Sequence, residues 1–183
     1  MPIEQYWWGS GLVEFRVADL DDLPKLSSRI LNALDLSSDF YQENVAKFGI
    51  PEEYVERAFS EGALRVAASK GSKFYLALEG DVILGFCQMA PQGGGKAELD
   101  RIVMFPGHMG MGIGSRLLEF SIEDQAREGK EEIIVHAGKD ERRARAFYEK
   151  NGFEFTGEFS VDAPWGKRID LAVYRLKIGR KTR

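Results

Sequence analysis

The chain has 183 residues and 20.6 kDa, with 44% apolar and 30% charged residues, which is the balance of one globular domain with a substantial core. A formal net charge of −4 argues against nucleic acid as a partner, and no apolar run approaches the ~18 residues that a membrane span needs. The lone Cys87 excludes an internal disulfide and Met1-Pro2-Ile3-Glu4 lacks the pattern of a secretory leader, so the expected compartment is the reducing cytoplasm.

Alternation in Leu12–Val17 predicts a first strand. Asp19-Leu20-Asp21-Asp22 offers N-cap candidates for a helix that carries Leu23, Leu26, Ile30, Leu31 and Leu34 on one face, with Pro24 in its first turn. A second helix is expected within Phe40–Phe48 and a third from Pro51 to Phe59, whose first turn holds Glu52 and Glu53. Periodicity does not decide Glu61–Lys73. Phe74–Leu78 and Val82–Met89 read as a hairpin closed by Glu79-Gly80-Asp81, and Gly93-Gly94-Gly95 turns into a strand over Ala97–Met104. After a glycine-laced loop, a helix from Ser115 to about Glu128 stops at Gly129, and Ile133–Ala137 reads as a strand buried on both faces. That order implies a strand-helix-strand crossover. A last helix over Glu141–Lys150, with Asp140 as a cap candidate, leads to strands over Phe153–Phe159 and Arg168–Leu176, joined by Ala163-Pro164-Trp165-Gly166. Lys177–Arg183 is a basic tail, and residues 1–183 form a single domain.

The loop Gly107-His108-Met109-Gly110-Met111-Gly112-Ile113-Gly114 removes Cβ atoms at alternate positions, so backbone N–H groups can face one concave surface. The helix that follows adds N–H groups without internal partners and the positive end of its dipole. A phosphate suits that surface. The loop lacks the Lys-Ser/Thr of a P-loop, and Ser115 after Gly114 breaks G-x-G-x-x-G. On the preceding strand, alternation puts the carboxylates of Glu98 and Asp100 on one face, together with Ile102 and Met104.

Ile102-Val103-Met104-Phe105-Pro106 followed by Met109-Gly110-Met111-Gly112-Ile113-Gly114 resembles the GNAT superfamily of N-acetyltransferases, which pair a strand of Ile/Leu-x-Val-x-Pro type with Gln/Arg-x-x-Gly-x-Gly/Ala. Met109 departs from the family's Arg or Gln. Ala144, Phe147-Tyr148 and Lys150-Asn151-Gly152-Phe153 resemble a second family segment, in which Glu141 replaces the usual Asn. The resemblance covers about Phe74–Leu176 and implies an α/β (α+β) fold with a mixed, mostly antiparallel central sheet of about six to seven strands flanked by helices.

The resemblance implies an acetyl-CoA-dependent N-acetyltransferase acting by direct attack of a primary amine in a ternary complex. The acyl donor's pantetheine would pair with Ile102, Val103 and Met104, and its pyrophosphate would sit on Met109, Gly110, Met111, Gly112, Ile113, Gly114 and Ser115. Tyr148 would touch the same ligand and protonate its thiolate. Glu98 would be the general base through water, with Asp100 as the second candidate. Arg142, Arg143 and Arg145 are candidates for the 3′-phosphate. The acceptor is a small-molecule or peptide amine, drawn to a region bearing Phe40, Tyr41, Tyr54 and Trp165; a second copy of the chain is a further candidate partner. Two alternatives stay open: a non-catalytic acyl-CoA sensor with the same fold, and a nucleotide-binding α/β domain, against which the hairpin argues. His108 reads as a surface residue, His136 as a structural one and Cys87 as a small core residue. These three side chains form no metal-ligand spacing, and no metal is expected.

Overall fold

The computed structural model describes residues 3–8, 11–34, 41–42 and 45–179. Strands β1 (Ile3–Trp8) and β2 (Gly11–Val17) pair antiparallel, with Ile3 opposite Arg16 and Trp8 opposite Gly11. The sequence pattern does not announce β1, because Tyr6-Trp7-Trp8 does not alternate. Contacts hold it instead: the Tyr6 ring meets Phe15 edge-on at 6.0 Å, and the Arg116 guanidinium lies 4.1 Å from the Tyr6 ring centre.

Helix α1 (Leu23–Ala33) buries Leu23, Leu26, Ser27, Ile30 and Ala33, the helical period expected for it. Asp22 occupies its N-cap position without a side-chain cap. Its carboxylate instead accepts two bonds from Arg16, at 2.6 and 2.7 Å, and one from the Asp19 N–H at 2.8 Å, which clamps the turn from strand to helix. Ala46–Phe48 is a 3₁₀ turn; the rest of the helix expected over Phe40–Phe48 lies largely outside the described residues. Helix α2 (Glu52–Phe59) begins after Pro51 as expected. The undecided stretch is helix α3 (Glu61–Ser69), capped by the Ser60 hydroxyl, which accepts from the Ala63 N–H at 3.2 Å.

Strands β3 (Lys73–Glu79), β4 (Val82–Gln92) and β5 (Lys96–Met104) form the expected antiparallel meander. Helix α4 (Ile113–Arg127) then carries the chain to β6 (Glu132–Gly138), which lies parallel to β5. A parallel pair needs such a crossover. Helix α5 (Arg142–Lys150) leads to the hairpin of β7 (Glu154–Asp162) and β8 (Arg168–Lys177). The strands form one eight-stranded sheet, one more than the upper expectation, in the order β1-β2-β3-β4-β5-β6-β8-β7. The expected tail begins inside β8, and the Ile178 N–H donates to the Glu131 carbonyl at 2.8 Å.

Each face of the sheet has its own core. On one, α4 sets Leu117, Leu118 and Phe120 against Phe15, Tyr75 and Cys87, and α5 adds Tyr148. On the other, Leu23, Leu26 and Ile30 of α1 and Leu64 of α3 pack on Phe74, Leu76 and Phe86. Each such side chain stabilises the fold by roughly 1.5–3 kcal/mol. A polar bolt fixes α4 to β3: Asp124 accepts from the Tyr75 hydroxyl at 2.9 Å and from Lys73 at 2.7 Å, while Gln125 donates to the Tyr75 oxygen at 2.8 Å. Among the described residues no helix is long and apolar enough to cross a membrane.

Candidate active site

The site grows out of one irregularity in β5. Gln88 pairs with Arg101 but Met89 pairs with Leu99, so Asp100 is an extra residue that bulges the strand. Pairing between β5 and β6 ends at Leu99 opposite Val135, although both strands run on, β5 to Met104 and β6 to Gly138. Their facing edges therefore diverge into a wedge, since β5 is hydrogen-bonded only to β4 here and β6 only to β8.

The bulge also corrects the face expected from simple alternation. Ala97 and Leu99 belong to the core under α4, and so do Ile102 and Met104, because the extra residue resets the period. Glu98 thus lies on the opposite face from Ile102 and Met104, with Arg101, which stacks on Phe59 of α2 at 4.4 Å. The Glu98 carboxylate takes the Gln92 amide and lies 2.9 Å from His136 Nδ1.

On the α4 side the wedge opens into a groove of about 570 Å³, lined by Ile102, Val103 and Met104, by Met109, Gly110, Gly112, Gly114 and Ser115, and by α5 from its start to Lys150. Gly112 is the N-cap of α4 at φ 84°, and Gly110 has φ 76°, so both use the left-handed backbone that glycine alone adopts cheaply. They start the helix two residues earlier than the sequence pattern implies. A Cβ on Gly110 would meet nothing within 4 Å, so the cradle faces open space. At Gly114 a Cβ would come within 3.3 Å of Met104 Cγ, so the missing side chain lets α4 sit close to β5. Of the expected phosphate-loop residues, Met111 and Ile113 do not line the groove: Met111 is exposed, and the Ile113 side chain is buried in the core.

Tyr148 lines the same groove from α5, wedged among the rings of Phe147, Phe153 and Tyr174. Burial pushes its phenol well above the ordinary range, so it stays protonated at any physiological pH. No hydrogen bond ties its hydroxyl to another described residue.

The charges of α5 divide. Arg142 and Arg143 line the groove, and Arg143 Nη2 stands 3.6 Å from Met109 Sδ. Arg145 instead donates to the Tyr174 hydroxyl at 2.8 Å and to the Lys139 carbonyl. Asp140 does not cap the helix; Glu141 holds the N-cap position, without a side-chain cap. Its carboxylate accepts from the Gly138 N–H at 3.0 Å and pairs with Lys47 at 2.8 Å. The 3₁₀ turn is tied in as well, Lys167 donating to the Lys47 carbonyl and the Trp165 indole to that of Phe48. Trp165 meets Tyr54 edge-on at 5.8 Å, so two of the expected acceptor-side aromatics pack on each other, though neither lines the groove; Phe40 lies outside the described residues. Among the described residues no cluster of three metal-ligating side chains occurs.

The glycine cradle, the unpaired β5 edge and basic side chains suit an elongated phosphate-bearing ligand. The model of the acetyltransferase (GNAT) family matches residues 33–153, well over half of the chain, and the chain belongs to that family. No protein of curated function matches the sequence. Among solved structures, the PaiA N-acetyltransferase of Thermoplasma acidophilum in complex with coenzyme A is 20% identical, with 91% of this chain and 99% of that one covered at a TM-score of 0.69. YncA of Salmonella typhimurium with acetyl-CoA is 18% identical over 93% and 96% of the two chains, TM-score 0.67. The ribosomal-protein-S18-alanine N-acetyltransferase of Escherichia coli is likewise 18% identical, over 93% and 97%, at 0.68. These likenesses are of fold.

Proposed function

We propose that the chain transfers the acetyl group of acetyl-CoA to a primary amine. The observation that carries this is the convergence of three features on one groove: the Gly110–Gly112 cradle at the start of α4, the unpaired edge of β5, and the free Tyr148 hydroxyl. The crystallised complexes of PaiA with coenzyme A and YncA with acetyl-CoA support the choice of ligand.

Backbone N–H groups at Gly110, Gly112, Gly114 and Ser115 hold the pyrophosphate against the helix dipole, and Arg143 supplies the cation that Met109 lacks. Alternate N–H and C=O groups over Ile102–Met104 offer strand-like partners to an extended pantetheine arm. Acetyl-CoA supplies an activated acyl thioester. Tyr148 donates its proton to the departing sulfur; burial keeps the phenol protonated at neutral pH while making it a weaker acid, so its fitness for the role rests on its place in the groove and its untied hydroxyl. The amine arrives on the Glu98 face, whose carboxylate favours a cation. Positioning both reactants across one wedge supplies much of the rate.

A non-catalytic acyl-CoA sensor is the second reading. It is favoured by Glu141, which is engaged with Gly138 and Lys47. The discriminating experiment is release of the free thiol from acetyl-CoA with and without a panel of primary amines, peptides and polyamines, beside calorimetric CoA binding. Acceptor-dependent release supports transfer; binding without release for every amine supports the sensor.

A further inference from the structure

The Glu98–His136 contact stands at the apex of the wedge. His136 is the first residue of β6 beyond the last β5–β6 pair, and its side chain is partly exposed. Its Nδ1 lies 2.9 Å from Glu98 Oε1, while the other carboxylate oxygen takes the Gln92 amide. Phe159 of β7 walls the imidazole edge-on, with ring centres 5.3 Å apart at 86°. An ionised carboxylate only accepts, so the hydrogen sits on Nδ1, and Nε2 carries the lone pair. Both Glu98 oxygens are engaged, whereas Nε2 of the imidazole has no hydrogen-bond partner among the described residues.

We propose that His136 Nε2, oriented by Glu98, is the base that takes the proton from the acceptor amine. This rests on the acetyl-transfer reading and changes Glu98 from the proton acceptor to a positioning residue. Imidazole is the commonest general base among side chains, and here it is the partner with an unoccupied acceptor nitrogen. The arrangement is one in which a carboxylate fixes the tautomer and steadies the imidazolium that forms.

The proton balance is complete. An ammonium gives one proton to Nε2, which passes it to solvent. The neutral amine nitrogen bonds to the acetyl carbon of acetyl-CoA, the carbon–sulfur bond breaks, and the nitrogen's surplus proton leaves to the emptied Nε2, which returns it to solvent. The sulfur takes its proton from Tyr148, which is reprotonated from solvent. Among the charged groups of the described residues on this face, Glu98 alone is in contact with the ring. Arg175 of β8, opposite Ile134, is held by Glu132, which also binds Lys96, and Arg101 is stacked on Phe59. The favoured acceptor is therefore a primary amine presented as its cation.

The test has two arms. In ligand-free ¹⁵N-labelled protein, with His108→Gln removing the other histidine signal, the His136 ring should show the Nδ1–H tautomer, and Glu98→Gln should redistribute it. On an amine that the wild type acetylates, His136→Ala should lower kcat by roughly 10²–10⁴ with CoA affinity kept, and added imidazole should restore part of the rate. Glu98→Gln, whose amide can hold the wrong tautomer, should cost up to as much as His136→Ala but not more. An Nε2–H tautomer, wild-type kcat in His136→Ala, or Glu98→Gln as the more damaging change each overturns the assignment. If the wild type acetylates no amine at all, the acetyl-transfer reading itself fails and this inference fails with it. A His136→Ala protein that neither binds CoA nor shows the wild-type circular dichroism is replaced by His136→Gln, judged by the same outcomes.

Discussion

Met109 stands where the family pattern has Arg or Gln, and the structure makes the consequence of placing an Arg there calculable. A bare position would let an introduced Arg add a charge-assisted bond to phosphate, at the lower end of ~1.5–3 kcal/mol because Met109 is 42% exposed. The position is not bare: Arg143 Nη2 lies 3.6 Å from the Met109 sulfur. Two guanidinium groups ~5.5–6 Å apart at an effective dielectric of ~40–80 repel by roughly 0.7–1.5 kcal/mol. The difference, about 0–0.8 kcal/mol, predicts that Met109→Arg leaves CoA affinity unchanged or tightens it at most about fourfold. Arg143→Ala should weaken binding roughly fivefold to tenfold, with a shallower salt dependence. The double variant should return near the wild type, since one cation then serves the site. Calorimetric titration of CoA at low and high salt reads all four proteins. Thirtyfold tightening in Met109→Arg, together with wild-type affinity in Arg143→Ala, would refute the shared-site reasoning.

Gly112→Val places a β-branched residue at φ 84° where α4 starts, a strain of about 1–2 kcal/mol before any clash with ligand, and calorimetry should show most CoA binding lost. Unchanged affinity would remove the loop from the site. Tyr148→Phe keeps the ring packing against Phe147, Phe153 and Tyr174, so CoA affinity should hold while kcat falls by roughly 10²–10⁴. Because burial raises that phenol, no alkaline loss of rate below about pH 9 should trace to it; a limb that vanishes in Tyr148→Phe would contradict this. Arg16 holds the Asp22 carboxyl below its ordinary value, so the pair stabilises the fold above the unfolded carboxyl pKa, about 3.9, and ceases to as pH falls through the lower folded value. Urea unfolding should find Asp22→Asn less stable by about 1–2 kcal/mol at neutral pH, the gap closing on acidification; a gap that widens in acid would reverse the sign.

The meander, the crossover and the glycine cradle were legible because each rests on local pattern: alternation, Gly-Asp and Gly-Gly turns, and a helix start behind Gly112. β1 was not, since Tyr6-Trp7-Trp8 does not alternate and the contacts of Tyr6 are with Phe15 and Arg116, the latter distant in sequence. The bulge at Asp100 was equally hidden. A single inserted residue leaves the apolar pattern of Ala97–Met104 readable while moving Glu98 to the other face. His136 was read as structural because Ile133-Ile134-Val135-His136-Ala137 looks buried throughout; only the parallel register shows it beside Glu98 at the edge of the wedge. The Met109–Arg143 contact likewise depends on how α5 folds over the loop.

The central claim is that the groove holds acetyl-CoA and that its acetyl group passes to an amine under the control of Tyr148. The most direct measurement incubates the protein with acetyl-CoA and a mixed panel of primary amines, follows thiol release, and identifies any acetylated product by mass. The account predicts acceptor-dependent release, a product heavier by one acetyl group on nitrogen, and a rate that collapses in Tyr148→Phe with CoA binding intact. Tight CoA binding with no acetylated amine, or product formed equally fast by Tyr148→Phe, would contradict it.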